Sequence, residues 1–140
     1  ALKDNGIEVR EELILPMRSD LEDYSLENGY MVTKEFLEKQ IPCTAIFAIS
    51  DMLAIGAGKA LSDAGYKVPE DISLVSFDDA GPVQEGDLTI LSVIHPKYNL
   101  GRLTARNLLR MIEDSDWQEK KYSYRFPVMF NNGNSVRDIH

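Results

Sequence analysis

The sequence has few of the residues from which covalent and metal-based sites are built. It contains one cysteine, Cys43, and two histidines, His95 and His140, among 140 residues. A lone cysteine excludes an internal disulfide framework and a multi-cysteine metal centre. Neither histidine has a second ligand at the spacing that metal motifs use. We therefore predict no metal site and no cofactor, with Mg²⁺ between Asp51 and Asp78 as a minor alternative.

Two further absences limit the function. No apolar run approaches the roughly 20 residues of a membrane-spanning helix, so we expect no membrane span. Lys and Arg number 15 against 23 acidic residues, the net charge is −8, and the basic residues are scattered along the chain. Because nucleic acids are held by clustered Lys and Arg side chains, this chain is not expected to bind DNA by itself.

What the sequence does contain is an alternation of strand and helix patterns. Short apolar runs predict strands, and longer segments with apolar residues at helical spacing predict helices. The predicted strands are Glu11–Pro16, Thr44–Ile49, 72–79, Leu91–Pro96 and Tyr122–Phe130, and the predicted helices are 21–40, 50–65 and 98–113. The unbroken apolar run Thr44–Ile49 predicts a strand covered on both faces. The alternation predicts an α/β fold, a three-layer sandwich with an open, mainly parallel sheet.

Polar residues follow two of these strands: Ser50 and Asp51 follow one, and Asp78 and Asp79 the other. Ligands of open α/β sheets bind beyond the carboxyl ends of the strands, so both pairs are expected on one rim. Adjacent side chains of an extended chain point in opposite directions, so Asp78 and Asp79 do not converge as an acid/base pair. Either a carboxylate caps backbone N–H groups at the strand end, or Asp78 binds a polyhydroxylated ligand.

Motifs of catalytic and nucleotide-binding sites are incomplete in this sequence. It lacks the G-x-S-x-G turn of serine hydrolases. The stretch GAGK, 56–59, has Leu53 and Ala60 where a phosphate-binding loop needs Gly and Ser or Thr. The small residues of this stretch are instead expected to allow close packing of a helix, either against the sheet or against a partner subunit. We predict a binding protein without catalytic residues.

Two long stretches carry a family likeness. TAIFAISDMLAIGAGKALSDAGYKVPEDISLVSFDD and LTILSVIHPKYNLGRLTARNLLRMI resemble the effector-binding core of the LacI/GalR family of transcription regulators. The resemblance implies a two-lobed fold of the periplasmic-binding-protein-like type I, with the ligand between the lobes. It also implies a cytoplasmic homodimer that binds operator DNA through an N-terminal helix-turn-helix domain.

In family terms, residues 1–140 are part of the effector-binding domain, namely most of its C-terminal lobe plus the crossover helix 97–114. The helix-turn-helix domain is absent from this chain. The opening ALKDNG is typical of the end of a helix, with Gly6 as its stop, so we expect the chain to be a fragment. The implied function is sensing of a sugar or related small polar effector. The alternative is the sugar-binding protein of a transporter, which shares the fold but usually lacks the VPEDIS phrase.

The resemblance implies roles for five residues. Asp78 matches the aspartate that hydrogen-bonds sugar hydroxyls, and Ser50 matches a position often held by a ligand-contacting Asn. Tyr24 falls where the family often places an aromatic ring against the ligand. His95 stands where Gln is common, and is expected either to reach the ligand through a polar edge or to be structural. Asp51 is expected either to contact the ligand or to cap the following helix.

Further expectations concern the dimer and the last strand. The helix Met52–Ala64 and the surface after Asp79 match the family's dimer face, although Met52, Leu53 and Gly56 are also candidates for the core. Asp79 is expected to tether the following loop. FPVMFNNGNS departs from the family pattern P-x-x-L-x-x-R-x-S, because Gly133 occupies the Arg position.

Overall fold

The structure is a computed structural model and describes residues 2–78, 84–85, 88–114 and 123–138. Within these ranges the helices are α1 (Leu26–Glu38), α2 (Asp51–Asp63) and α3 (Lys97–Glu113). The strands are β1 (Ala45–Ala48), β2 (Ser73–Phe77), β3 (Gln84–Glu85), β4 (Leu88–Thr89), β5 (Leu91–Ile94) and β6 (Met129–Phe130). Single 3₁₀ turns cover Lys3–Asn5 and Glu11–Leu13.

The main sheet has the strand order β1-β2-β5-β6. β1 pairs with β2, and β2 with β5, in parallel, whereas β6 is antiparallel to β5. β3 and β4 form a separate antiparallel ribbon. The predicted α/β fold with a mainly parallel sheet is confirmed.

Helices α1 and α2 lie side by side and touch through two glycines. A Cβ at Gly29 would lie 2.3 Å from the carbonyl oxygen of Leu53, and one at Gly56 would lie 2.1 Å from that of Leu26. Neither position has space for a side chain. Gly56 therefore allows close packing of α2 against α1, which corrects the expectation that the small residues of GAGK pack against the sheet.

The core lies between α2 and the sheet. Its buried residues are apolar and mostly small: Ala48, Leu53, Ala54, Ala57, Leu74 and Ile90. Helix α3 is amphipathic in sequence yet buries none of its residues, and Ile112 on it is 72% exposed. Met52 is the exposed apolar residue at the start of α2, whereas Leu53 and Gly56 are buried.

Three predictions about elements are corrected. Glu11–Pro16 forms no strand: Glu11–Leu13 is a 3₁₀ turn, and Pro16 has no N–H to donate to a ladder. The first helix begins at Leu26 rather than near residue 21, because Ser25 caps it and Tyr24 has a left-handed φ of 57°. Thr44–Ile49 is not covered on both faces by the described residues, because Phe47 on β1 is 61% exposed.

The last strand is also shorter than predicted. Only Met129–Phe130 pairs with β5, and Tyr122 lies outside the described residues. Beyond β6 the chain is bonded to β4 and β5 by side chains that accept from backbone N–H groups: Asn131 from Ser92, Asn134 from Thr89 and Ser135 from Leu91, at 2.7 to 2.9 Å. A Cβ at Gly133 would lie 2.3 Å from the Leu91 nitrogen. Glycine at this position therefore permits close approach of the segment to β5.

The glycine packing predicts opposite effects for two Gly→Ala changes within helices. Gly56→Ala places a methyl group against the α1 backbone, so it should lower the free energy of unfolding by about 1–3 kcal/mol. Gly101→Ala in α3 meets nothing within 4 Å and should raise that free energy by about 0.5–1 kcal/mol through helix propensity. Urea unfolding followed by circular dichroism measures both. Equal effects of the two changes would contradict the packing assigned to Gly56.

Candidate ligand-binding rim

The carboxyl ends of β1, β2 and β5 form one edge of the sheet, because these strands are parallel. Ser50 follows β1, Asp78 follows β2, and His95 follows β5. We call this edge the rim. Ser50 and Asp78 therefore lie on one edge of the sheet, as the sequence predicted.

Asp78 has an unusual backbone conformation. Its φ is 116°, a value that residues with a side chain rarely adopt. Its backbone N–H donates to the Val93 carbonyl at 3.2 Å, which continues the β2–β5 pairing one residue past the strand. Such conformations cost on the order of 1–3 kcal/mol and concentrate at functional sites.

The Asp78 carboxylate is held by two neighbours. His95 Nε2 lies 2.8 Å from Asp78 Oδ1, and Lys97 Nζ lies 3.7 Å from the same oxygen. The hydrogen bond from His95, with the charge of Lys97, holds the pKa of Asp78 below its ordinary value. The side chain is 50% exposed, so the rim presents an accessible carboxylate that is ionised at neutral pH.

The ring of His95 is fixed as well. It stacks on Phe77, with ring centroids 5.6 Å apart and an interplanar angle of 18°. His95 thus uses one face for packing and one polar edge for Asp78. The sequence placed His95 at the end of an apolar strand but indicated neither contact.

Asp51 lies beneath the rim rather than on it. It is 2% exposed, and its Oδ1 accepts hydrogen bonds from Ser76 Oγ at 2.6 Å and Ser92 Oγ at 2.9 Å. The two serines are register partners on β2 and β5. Asp51 therefore ties the start of α2 to both central strands. The signal that sequence reasoning missed is the serine inside each apolar strand.

The helix cap is Ser50, not Asp51. The Ser50 Oγ accepts a hydrogen bond from the Leu53 N–H at 3.3 Å, which satisfies a donor at the open end of α2. The expectation that Asp51 caps this helix is wrong, because its side chain turns inward to the serines. Ser50 is half-buried and lies where β1 passes into α2.

Tyr24 is on the loop before α1. It is exposed, and its N–H donates to Met17 Sδ at 3.4 Å. The loop is organised by the fully buried Asn28, which accepts from Arg18 N–H at 2.9 Å and donates to the Arg18 carbonyl at 3.0 Å. Among the predicted site residues, Asp78 is hydrogen-bonded to His95, and Ser50 lies next to Asp51 at the start of α2. The described contacts include none between Tyr24 and these four residues.

The family described as "Periplasmic binding protein-like domain" matches residues 1–135. The chain belongs to this family. The periplasmic-binding-protein-like fold class that the sequence resemblance implied is confirmed.

Its curated relatives are transcriptional regulators. The HTH-type transcriptional regulator MalR of Clostridium butyricum is 35% identical over 112 residues, which are 80% of this chain and 32% of that protein. The repressor CytR of Escherichia coli K12 is 35% identical over 80 residues, which are 57% of this chain and 24% of that protein. The domain thus spans a third or less of the length of these relatives.

Solved structures agree. A LacI family regulator from Enterococcus faecium with bound ribose matches with a TM-score of 0.75 and 29% identity, over 97% of this chain and 48% of that one. The CelR–cellobiose complex matches with a TM-score of 0.75 and 28% identity, over 96% and 39%. The predicted likeness to LacI-type regulators is confirmed, and the relatives named are regulators rather than transport proteins or enzymes.

Some expectations about the domain lie beyond its described part. Asp79 and the surface that follows it fall outside the described residues. Among the residues that are described, no cluster of three His, Cys, Asp or Glu side chains suits a metal ion. None of the helices described is long and apolar enough to span a membrane.

The burial of Asp51 predicts a sharp contrast with Asp78. Asp51→Ala leaves two buried serine hydroxyls without this acceptor, so it should lower the free energy of unfolding by about 2–4 kcal/mol. Asp78→Ala removes a half-exposed carboxylate and should lower that free energy by about 1 kcal/mol or less. Thermal and urea unfolding of the two variants measure this difference. Comparable losses would contradict the structural role of Asp51.

Proposed function

We propose that this chain is the ligand-sensing part of a LacI-type transcription regulator and binds a sugar or a related small polar effector. The observation that carries the proposal is Asp78, an ionised and accessible carboxylate held in a strained conformation at the carboxyl edge of a parallel sheet. An ionised carboxylate accepts hydrogen bonds from hydroxyl groups. Support comes from the ribose and cellobiose in the structures of two similar regulators.

Three other residues that the sequence singled out have complementary roles in this proposal. Tyr24 presents an exposed aromatic ring that suits the apolar face of a sugar. Ser50 offers a hydroxyl group at the start of α2. Asp51 acts from below, by fixing that start against β2 and β5, rather than by contacting the effector.

The intact protein is proposed to have two lobes that close around the effector, of which this chain supplies most of the C-terminal one. The exposed apolar side chains of α3, the crossover helix, then pack in the other lobe. The effector binds one arrangement of the lobes more tightly than the other. It thereby shifts a homodimer between DNA-binding and released states. Operator DNA is bound by a separate N-terminal domain in the cytoplasm, and the effector is bound without chemical conversion.

The proposal predicts the effect of Asp78→Ala on effector affinity. Loss of a charge-assisted hydrogen bond of about 1.5–3 kcal/mol should weaken binding by more than about tenfold. Isothermal titration calorimetry of the intact protein with ribose, cellobiose and other sugars measures it, after a thermal-shift screen identifies the sugars that bind. Asp63→Ala, at the far end of α2 from the rim, is the matched control and should bind as wild type. Unchanged affinity of the Asp78 variant would contradict the proposed site.

A further inference from the structure

The contacts of Asp78 with described residues fall on one of its two carboxylate oxygens. His95 Nε2 and Lys97 Nζ both approach Oδ1, at 2.8 and 3.7 Å. A carboxylate has acceptor positions on both oxygens. The arrangement therefore holds the group by Oδ1, and none of the described side chains makes a hydrogen bond or ion pair with Oδ2.

His95 is itself held in place by the sheet. Its ring stacks on Phe77, the last residue of β2, and its backbone directly follows β5. Phe77 is the register partner of Val93, whose carbonyl accepts the Asp78 N–H. The orientation of the His95 ring and the backbone of Asp78 thus depend on the same pair of strands.

We infer that His95 is a positioning residue: stacked on Phe77, it fixes Asp78 through Oδ1 so that Oδ2 accepts the effector's hydroxyl group. The inference deepens the proposed function and rests on it. His95 then acts through Asp78, and its imidazole need not touch the effector. Holding the carboxylate in advance removes part of the ordering cost that binding otherwise carries.

Two substitutions separate the hydrogen bond from the packing of the ring. His95→Phe keeps an aromatic ring against Phe77 but removes the donor to Asp78. His95→Gln removes the ring but keeps an N–H donor on a side chain of similar reach. Each of the two substitutions is made separately in the intact protein, both alone and combined with Asp78→Ala. Thermal unfolding checks that every variant is folded.

The first readout is calorimetric affinity for ribose and cellobiose, the sugars bound by two similar regulators. His95→Phe should weaken binding by about 3- to 10-fold, a part of the effect of losing Asp78 itself. His95→Gln should recover most of that loss. In the Asp78→Ala background His95→Phe should add nothing, because a positioning residue has no effect once its target is gone. A loss of the same size in both backgrounds would overturn the inference.

The second readout needs no effector. With ¹³C-labelled aspartate carboxyl groups, the Asp78 resonance is identified by its absence in Asp78→Asn and titrated with pH. Since the His95 hydrogen bond is the largest cause that lowers the pKa of Asp78, His95→Phe should raise that pKa and His95→Gln should largely preserve it. An unchanged pKa in His95→Phe overturns the inference, whichever sugar binds. If His95→Phe raises the pKa of Asp78 but Asp78→Ala binds sugar with undiminished affinity, the proposed function is overturned. The His95–Asp78 contact is then still supported.

Discussion

A buried carboxylate requires hydrogen-bond donors, because burial without them costs several kcal/mol. Asp51 has two in the serine hydroxyls of β2 and β5, at 2.6 and 2.9 Å. This contact joins the first turn of α2 to the two central strands, so it fixes where the helix starts relative to the strand ends. Ser50, which caps the same turn, and the rim beside it depend on this constraint.

On the rim above that contact, the backbone and the carboxylate of Asp78 are also held in place. Asp78 adopts a φ of 116° just past the end of β2, and the β2–β5 pairing supplies the hydrogen bond that holds its backbone. His95 and Phe77, at the ends of the same two strands, then fix its carboxylate. The parallel sheet thus presents Asp78 as an accessible, ionised acceptor. Such preorganisation suits the proposed recognition of hydroxyl groups.

Sequence reasoning succeeded where local patterns are strong. Clear apolar patterns mark the strands β2 and β5 and the capped helix α2. The parallel pairing of the two strands follows from the alternation of strands and helices. The position of Asp78 on the rim followed from that topology. The Glu11–Pro16 segment is apolar enough to predict a strand, but it has no ladder partner in the described fold, and a local pattern does not reveal the partner.

The parts that could not be predicted are contacts between distant positions. The Asp51 contacts join residues 25 and 41 positions apart, and no local pattern distinguishes such a buried carboxylate from an exposed helix cap. Asn28 was overlooked because a polar residue within an amphipathic helix normally faces solvent, whereas here it is fully buried and organises the loop that carries Tyr24. The His95–Phe77 stack depends on register, which a sequence pattern alone does not set.

Asp78, held by His95, is the proposed acceptor for the effector's hydroxyl group. A crystal structure of the intact protein with a bound sugar tests this proposal most directly. We expect a sugar hydroxyl within about 2.5–3.0 Å of the Asp78 carboxylate, with the His95 Nε2 to Oδ1 contact retained. A sugar bound with no contact to Asp78 would contradict it.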